Sequence, residues 1–399
     1  MLVTHIIGDC PGCGATQSYG NVSVMGQELL RGCGCCDFRT TVQLPSIRKK
    51  VIYLDQFFFS HAFRGGDVRF VEAANRIKQL AHFQLLTSPY SSVHEDETYQ
   101  WRGHNDKTRD DLMEFIKSAA RGLTFERAYR IERIQVLRAF RAFLSDAPIE
   151  FEVDRRDAIR GSLDQWDSYF RIDVSSYTRD VELKRRLKTE AVRDLVTLFD
   201  QWVHSAETFQ QQVQIEMRDA GKLYVRSYLD MAGRVARGDF TAVVDSPVTA
   251  TVVEQMLQLV PASVEGRNRI QRCIEFFHSE YFANVPNEWI SAHLFATLRD
   301  TVKRGAYSDR DDAKKRLSGI FDDIAHVSMY APYCDAFVMD TPMAELIRQP
   351  TVALEQRYGV KVFSLRKWDA LFTWLDELEA GMTSEHKTAL AAVHPRSPS

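Results

Sequence analysis

A short run that ends in a carboxylate constrains the fold of this chain more than any other segment. Residues 51–55 have the sequence VIYLD and follow the basic residues 48–50. A continuous apolar run of this length predicts a strand that is buried on both faces, as in a parallel sheet. Because ligands bind at the carboxyl ends of the strands in open α/β sheets, Asp55 lies where a catalytic acid is expected.

A second stretch of the same kind lies far downstream, between residues 311 and 340. We expect a helix over 311–331 that contains Asp322 and Asp323, and a buried strand over 336–339 that is followed by Asp340. The two predicted strands therefore each lead into an aspartate, and two more aspartates lie on a predicted helix.

The chain between residues 56 and 100 predicts the helices and the strand that complete this first half. Helical spacing over 67–81 has Asp67 available as its N-cap, and 83–89 is a short apolar strand that ends at a proline. The next helix begins near Ser91 with an acidic first turn. In that turn we select Glu97 as the site residue and keep Glu95 as the alternative.

Five of the seven cysteines lie near the N-terminus. Cys10 and Cys13 form one CxxC pair and Cys33 and Cys36 form a second, with nineteen residues between the pairs. Two such pairs at this separation are typical of a tetrahedral Cys₄ zinc site in a zinc ribbon, and clustering of this kind favours metal over disulfides in a reducing compartment. A site with four protein ligands has no open position, so its role is structural. Cys35 is an alternative to Cys36 as the fourth ligand.

The order of these strands, helices and acids resembles the PIN-like nuclease family. The four acids, in chain order, are Asp55, Glu97, Asp323 and Asp340. The resemblance implies a parallel sheet sandwiched by helices and a metal-dependent (ribo)nuclease, with RNA as the expected nucleic acid. It also implies that the four carboxylates ligate Mg²⁺ or Mn²⁺ directly or through water, with Asp335 as a supporting acid.

The chemistry of phosphodiester hydrolysis suits such a cluster. Carboxylates that hold one or two divalent cations supply an activated water and compensate the charge that develops on phosphate. Converging carboxylates without a cation would repel each other and raise each other's pKa. The chain departs from the family where Gln56 and Phe57 follow the first acid, since a small polar residue is usual there. At the third acidic position Asp322 is the alternative to Asp323, and at the fourth position Asp335 is the alternative to Asp340.

The predicted organisation has five segments: a zinc ribbon, 1–47; the first half of the PIN-like core, 48–100; a large all-α insertion, 101–310; the second half of the core, 311–380; and a disordered tail, 381–399. The insertion offers a surface for a protein partner or for a second copy of the chain. Basic residues concentrate in two helical stretches, 127–141 and 184–188, for which we weigh a solvated face against a phosphate-binding wall.

Bulk properties exclude some other classes of protein. A net charge of −3 gives no global attraction to nucleic acid, so such a partner needs a local basic patch. We find neither an apolar run near the ~18–20 residues of a membrane span nor a signal peptide, and we expect a cytoplasmic protein with no membrane partner.

A phosphatase of the haloacid dehalogenase type needs a second aspartate where Phe57 stands. The remaining alternative is a non-catalytic zinc-ribbon adaptor on a PIN-like scaffold that binds nucleic acid or a protein.

Overall fold

The computed structural model describes residues 2–166, 202–306 and 319–394 and has a mixed α/β structure. It divides into two compact units. The first unit comprises 2–124, 159–166 and 363–394, and the second comprises 125–158, 202–306 and 319–362.

The strands, in chain order, are β1 His5–Gly8, β2 Tyr19–Met25, β3 Glu28–Cys33, β4 Arg39–Gln43, β5 Lys50–Leu54, β6 Leu86–Thr87, β7 Thr124–Phe125, β8 Ile159–Arg160, β9 Ala336–Val338 and β10 Lys361–Phe363. The α-helices are α1 Gln56–Arg64, α2 Val68–His82, α3 Ser92–Gln100, α4 Arg109–Ala120, α5 Ala128–Leu144, α6 Phe209–Ala236, α7 Ala242–Asp245, α8 Val248–Leu259, α9 Gly266–Phe277, α10 Glu280–Ala283, α11 Pro286–Lys303, α12 Ile320–Tyr330, α13 Thr341–Ile347, α14 Leu354–Tyr358, α15 Trp368–Ala380 and α16 Ser384–Val393.

The first unit begins with an antiparallel sheet in the order β1-β2-β3-β4. We call this part of the chain, residues 2–47, the cysteine module. The segment between the two cysteine pairs forms β2 and β3. Gly20 is required where β1 pairs with β2, because a Cβ at this position would lie 1.9 Å from the carbonyl oxygen of His5.

The apolar run predicted as a buried strand forms β5, which pairs in parallel with β6. All residues of β5 after its first are buried. The predicted N-cap of α2 is confirmed, since Asp67 accepts a hydrogen bond from the backbone N–H of Arg69 at 3.0 Å. Helix α15 packs against this region through Trp368, whose ring centroid lies 4.9 Å from that of Phe70. Burial of each large apolar side chain of this kind stabilises the unit by roughly 1.5–3 kcal/mol.

The prediction of a disordered tail over 381–399 is wrong for residues 384–393, which form α16. Thr383 caps this helix by accepting a hydrogen bond from the backbone N–H of His386 at 3.1 Å. Ala389 and Val393 are buried in one cluster with residues of the cysteine module. Two small apolar side chains one turn apart are too weak a pattern to predict a helix, and the surface that covers them lies far away in the sequence.

The second unit is built mainly from helices, and α6 packs against α8 and α11. Aromatic rings fill its largest core, where the ring centroid of Phe276 lies 5.2 Å from that of Phe140 and 5.6 Å from that of Phe282. The described part of the predicted insertion is helical apart from the two-residue strands β7 and β8 and short 3₁₀ and irregular segments. Helices α13 and α14 are separate because Pro350, which lies between them, has no N–H to continue a helix.

Strands β9 and β10 are neighbours in the second unit, and the backbone N–H of Lys361 donates to the carbonyl oxygen of Asp335 at 3.0 Å. None of the helices in the described ranges combines the length and the apolar content that crossing a membrane requires.

Candidate functional site

Four cysteine side chains converge where the β1–β2 loop meets the end of β3. The Sγ atoms of Cys10, Cys13, Cys33 and Cys36 all lie within 4.8 Å of one another. The Sγ–Sγ distance is 3.7 Å from Cys10 to Cys36 and 3.8 Å from Cys13 to Cys33. Four Zn–S bonds of ~2.3 Å in a tetrahedron place sulfur atoms roughly 3.8 Å apart, whereas a disulfide needs ~2.05 Å. The four cysteines could therefore bind a zinc ion.

Hydrogen bonds from the surrounding chain support negative charge on these sulfur atoms. The backbone N–H of Gly12 donates to Cys10 Sγ at 3.3 Å, and that of Cys35 donates to Cys33 Sγ at 3.2 Å. Gly14, with a φ of 72°, supplies the left-handed turn after the first pair. Donors around metal ligands orient them and stabilise the charged form that binds the ion.

The pKa values of the thiols differ widely. A hydrogen bond with the Ser18 hydroxyl, whose Oγ lies 3.4 Å from Cys33 Sγ, lowers the pKa of Cys33 to about 6. The backbone N–H of Phe38 acts to lower the pKa of Cys36, but desolvation and the three neighbouring thiols outweigh it and raise that pKa to about 12. Thiolates this close repel one another, and a divalent cation among them would compensate the repulsion.

The structure distinguishes between the two candidates for the fourth ligand. Cys36 belongs to the group of converging sulfur atoms and is half-buried, whereas Cys35 lies outside that group and its side chain is exposed. Cys35 contributes its backbone N–H to Cys33 instead.

The first carboxylate, Asp55, lies at the carboxyl end of β5, and two hydrogen bonds fix helix α3 against this end. The Nε2 atom of His94 donates to the carbonyl oxygen of Leu54 at 2.8 Å. The side-chain amide of Gln56 donates to Thr98 Oγ1 at 3.0 Å. The residues on either side of Asp55 thus hold the helix that carries the second predicted acid.

Helix α3 carries both candidates for that second acid, Glu95 and Glu97, and both are half-buried. His94 and Thr98 define the face of α3 that contacts the end of β5. Since successive residues of a helix are rotated by ~100°, Glu95 and Glu97 each point about 80° away from the centre of this face, one on either side. The two are equivalent in this respect, and the choice of Glu97 stays a prediction.

His94 is a fully buried residue that the sequence reading did not single out. Its Nδ1 accepts a hydrogen bond from the backbone N–H of Ser91 at 2.9 Å, so the ring proton is on Nε2. Burial lowers the pKa of His94 to about 4. The ring is therefore neutral near pH 7 and positions α3. Its place three residues after the N-cap Ser91 matches a capping box, and this spacing would have identified it.

Asp55 and Asp340 occupy equivalent local positions, just after a buried strand and at the N-cap of the following helix. Asp55 Oδ1 accepts from the backbone N–H of Gln56 at 2.8 Å, and Asp340 Oδ1 accepts from that of Met343 at 2.9 Å. An N-cap bond uses one carboxylate oxygen, so it is compatible with a metal contact through the other.

The third predicted acid, Asp323, and its alternative, Asp322, lie in the first turn of α12. Negative charge is favourable near a helix N-terminus, by about 0.3–1 kcal/mol. The first part of the predicted helix, 311–318, lies outside the described residues. Asp335, predicted as a supporting acid, forms an ion pair with Arg155 at 2.8 Å.

Asp55 and Glu97 belong to the first unit, and Asp323 and Asp340 belong to the second. Their joint ligation of Mg²⁺ or Mn²⁺ stays a prediction. Within the described ranges, the cysteine group is the one set of three or more His, Cys, Asp or Glu ligand atoms that lie within 4.8 Å of one another.

The basic residues of the stretch 127–141 lie on and next to α5. Two of the arginines in this stretch have acidic partners. Arg130 pairs with Glu126 at 3.3 Å and Arg138 pairs with Asp157 at 2.7 Å. This compensation favours a solvated face over a phosphate-binding wall. The second basic stretch, 184–188, lies outside the described residues.

The chain matches no protein-family model, no curated protein and no solved structure. Its function is therefore inferred from its own residues and their geometry.

Proposed function

We propose that the protein is a metal-dependent nuclease that hydrolyses phosphodiester bonds, with RNA as the expected substrate. The observation that carries this proposal is the attachment of α3 to the carboxyl end of β5. It sets a helix that bears two glutamates beside Asp55, at the edge of a parallel sheet where α/β proteins bind ligands. Carboxylate oxygens are the donors that Mg²⁺ and Mn²⁺ prefer.

Each part of the chain has a role in this proposal. Asp55, Glu97, Asp323 and Asp340 would hold Mg²⁺ or Mn²⁺, with Glu95, Asp322 and Asp335 as alternatives at three positions. The bound ion would supply an activated water and compensate charge on phosphate. The N-cap bonds of Asp55 and Asp340 fix the orientation of these carboxylates before any ligand binds. A zinc ion on the four cysteines would stabilise the cysteine module without taking part in the reaction.

Cysteines used as metal ligands suit a reducing compartment, and we therefore place the protein in the cytoplasm. The described helices of the second unit remain the candidate surface for a protein partner or a second copy of the chain.

The test compares cleavage of RNA and of single-stranded DNA in Mn²⁺ and in EDTA. The variant is Asp55→Asn, and Asp67→Asn is the matched control. Both aspartates cap a helix, and asparagine is an equally good N-cap, so neither change removes a cap. We expect cleavage that needs Mn²⁺, is lost in Asp55→Asn and is retained in Asp67→Asn.

A second candidate function is a non-catalytic adaptor that binds nucleic acid or a protein. The geometry of the four cysteines favours it, since such a site needs none of the carboxylates. If the folded, zinc-loaded protein binds RNA in a gel-shift assay but cleaves neither polymer in Mn²⁺, the nuclease proposal is refuted and the adaptor is supported.

A further inference from the structure

A cavity of about 500 Å³ lies within the first unit, between the cysteine module and helices α2, α4 and α16. Its basic lining consists of His5, His82, Arg121 and His394. Its apolar lining includes Val24, Leu29 and Val393. None of the described residues that line it is an aspartate or a glutamate.

The walls of this cavity are held by defined contacts. The side-chain amide of Asn21 donates to the carbonyl oxygens of Ala392 and Val393, at 2.8 and 3.0 Å, and so ties the end of α16 to β2. The rings of His82 and His394 lie against each other, with centroids 4.2 Å apart. A site whose walls are fixed before binding loses less entropy when a ligand enters.

The chemistry of the lining selects an anion with an apolar part. A guanidinium and three imidazoles can donate hydrogen bonds to an anion, and arginine in particular matches the geometry of phosphate. Small-molecule sites typically have volumes of ~300–1,000 Å³ and combine apolar walls with a few polar groups. This cavity is too large for phosphate alone, and imidazole rings can stack on a base.

We infer that the cavity binds a nucleoside monophosphate, with the phosphate near Arg121 and the base against the histidines and the apolar wall. The same chemistry is present in a free nucleotide and at the phosphorylated end of a nucleic-acid strand. The inference does not depend on the proposed nuclease activity, because the cavity includes none of the predicted site acids.

Isothermal titration calorimetry with AMP, adenosine and inorganic phosphate tests this site on the full-length protein. Arg121 has a φ of 48°, so Arg121→Asn removes the charge with a residue that tolerates this conformation. Loss of a charged hydrogen bond weakens binding roughly tenfold or more, and we expect this for AMP. His82→Gln, at an exposed position, should also weaken AMP, whereas Arg102→Asn, exposed and outside the cavity, should not.

Adenosine or phosphate binding as tightly as AMP, or AMP binding equally to wild type and Arg121→Asn, would overturn the inference, as would no binding of AMP. Melting temperatures of the variants show whether they fold. Binding of matched oligonucleotides with a 5′-phosphate, a 3′-phosphate or neither shows whether the ligand is a strand end or a free nucleotide. A preference for one phosphorylated end that Arg121→Asn abolishes supports a strand end. AMP binding without such a preference supports a free nucleotide.

Discussion

Glu288, near the start of α11, should make the stability of the second unit depend on pH. Its side chain is buried, and the Tyr224 hydroxyl oxygen lies 3.2 Å from Glu288 Oε1 and 2.6 Å from Glu132 Oε1. The Tyr224 hydroxyl has one proton, so it can donate one strong hydrogen bond to one of the two carboxylates. When Tyr224 donates to Glu132, a protonated Glu288 can complete the network by donating to the tyrosine oxygen.

Burial, together with the negative charge of Glu132, raises the pKa of Glu288 from 4.5 to about 7. One pKa unit corresponds to 1.36 kcal/mol, so ionised Glu288 costs the folded state about 3 kcal/mol. Because the folded pKa is raised, the protonated group's contribution is fully present below pH 4.5 and is lost as pH rises to about 7.

Glu288→Gln keeps the shape of the protonated side chain and cannot ionise. We expect wild type and variant to have similar free energies of unfolding at pH 4.5. At pH 8 the variant should be more stable by about 3 kcal/mol, which is roughly 6–12 °C in melting temperature for a unit of this size. Thermal melts followed by circular dichroism at several pH values measure the difference. Glu280→Gln, at an exposed position on the same unit, is the control.

Groups that titrate equally in both proteins cancel when the free energy of unfolding of wild type is subtracted from that of the variant at each pH. A difference that does not change between pH 4.5 and pH 8 would refute the reasoning, and so would an equal pH dependence in Glu280→Gln. Either result would mean that the pH dependence of stability does not come specifically from Glu288.

Three further predictions concern the first unit. Zinc analysis by mass spectrometry should find about one ion per chain in wild type and in Cys35→Ser but little in Cys36→Ser, and equal zinc in all three would contradict the assigned ligands. His94 has a folded pKa lowered from 6.5 to about 4 by burial, so it should contribute about 3 kcal/mol that is present above pH 6.5 and lost as pH falls to 4. Urea unfolding of His94→Gln should therefore show a weaker pH dependence than wild type between pH 4 and 6.5. Gly20→Ala should destabilise the cysteine module through the contact with His5 and release zinc at lower urea concentrations, and unchanged release would refute the close approach.

Much of the local structure was predictable because it depends on residues that are close in the sequence. The run before Asp55 forms a strand, Asp67 caps α2, and α3 begins directly after Ser91. In each case the strand pattern or the cap lies within a few residues of the element that it defines. The two CxxC pairs were also recognisable as a candidate metal site, because zinc sites of this kind have a characteristic ligand spacing.

Several features were decided by tertiary contacts. The choice of Cys36 over Cys35 depends on which side chain turns toward the other sulfur atoms. Helix α16 is stabilised by a surface of the cysteine module at the other end of the chain. Neither is visible in a local pattern, because burial depends on neighbours that the sequence does not place nearby.

The sequence by itself therefore determined the cysteine pairs that could bind zinc, the buried strands and the aspartates that follow them. The tertiary structure alone decided which polar groups lose their water. Glu132, Tyr224 and Glu288 come from three helices, and their shared burial creates the pKa shift of Glu288. The burial that lowers the pKa of His94 and the cavity beside Arg121 also depend on the packing of segments that are distant in the chain.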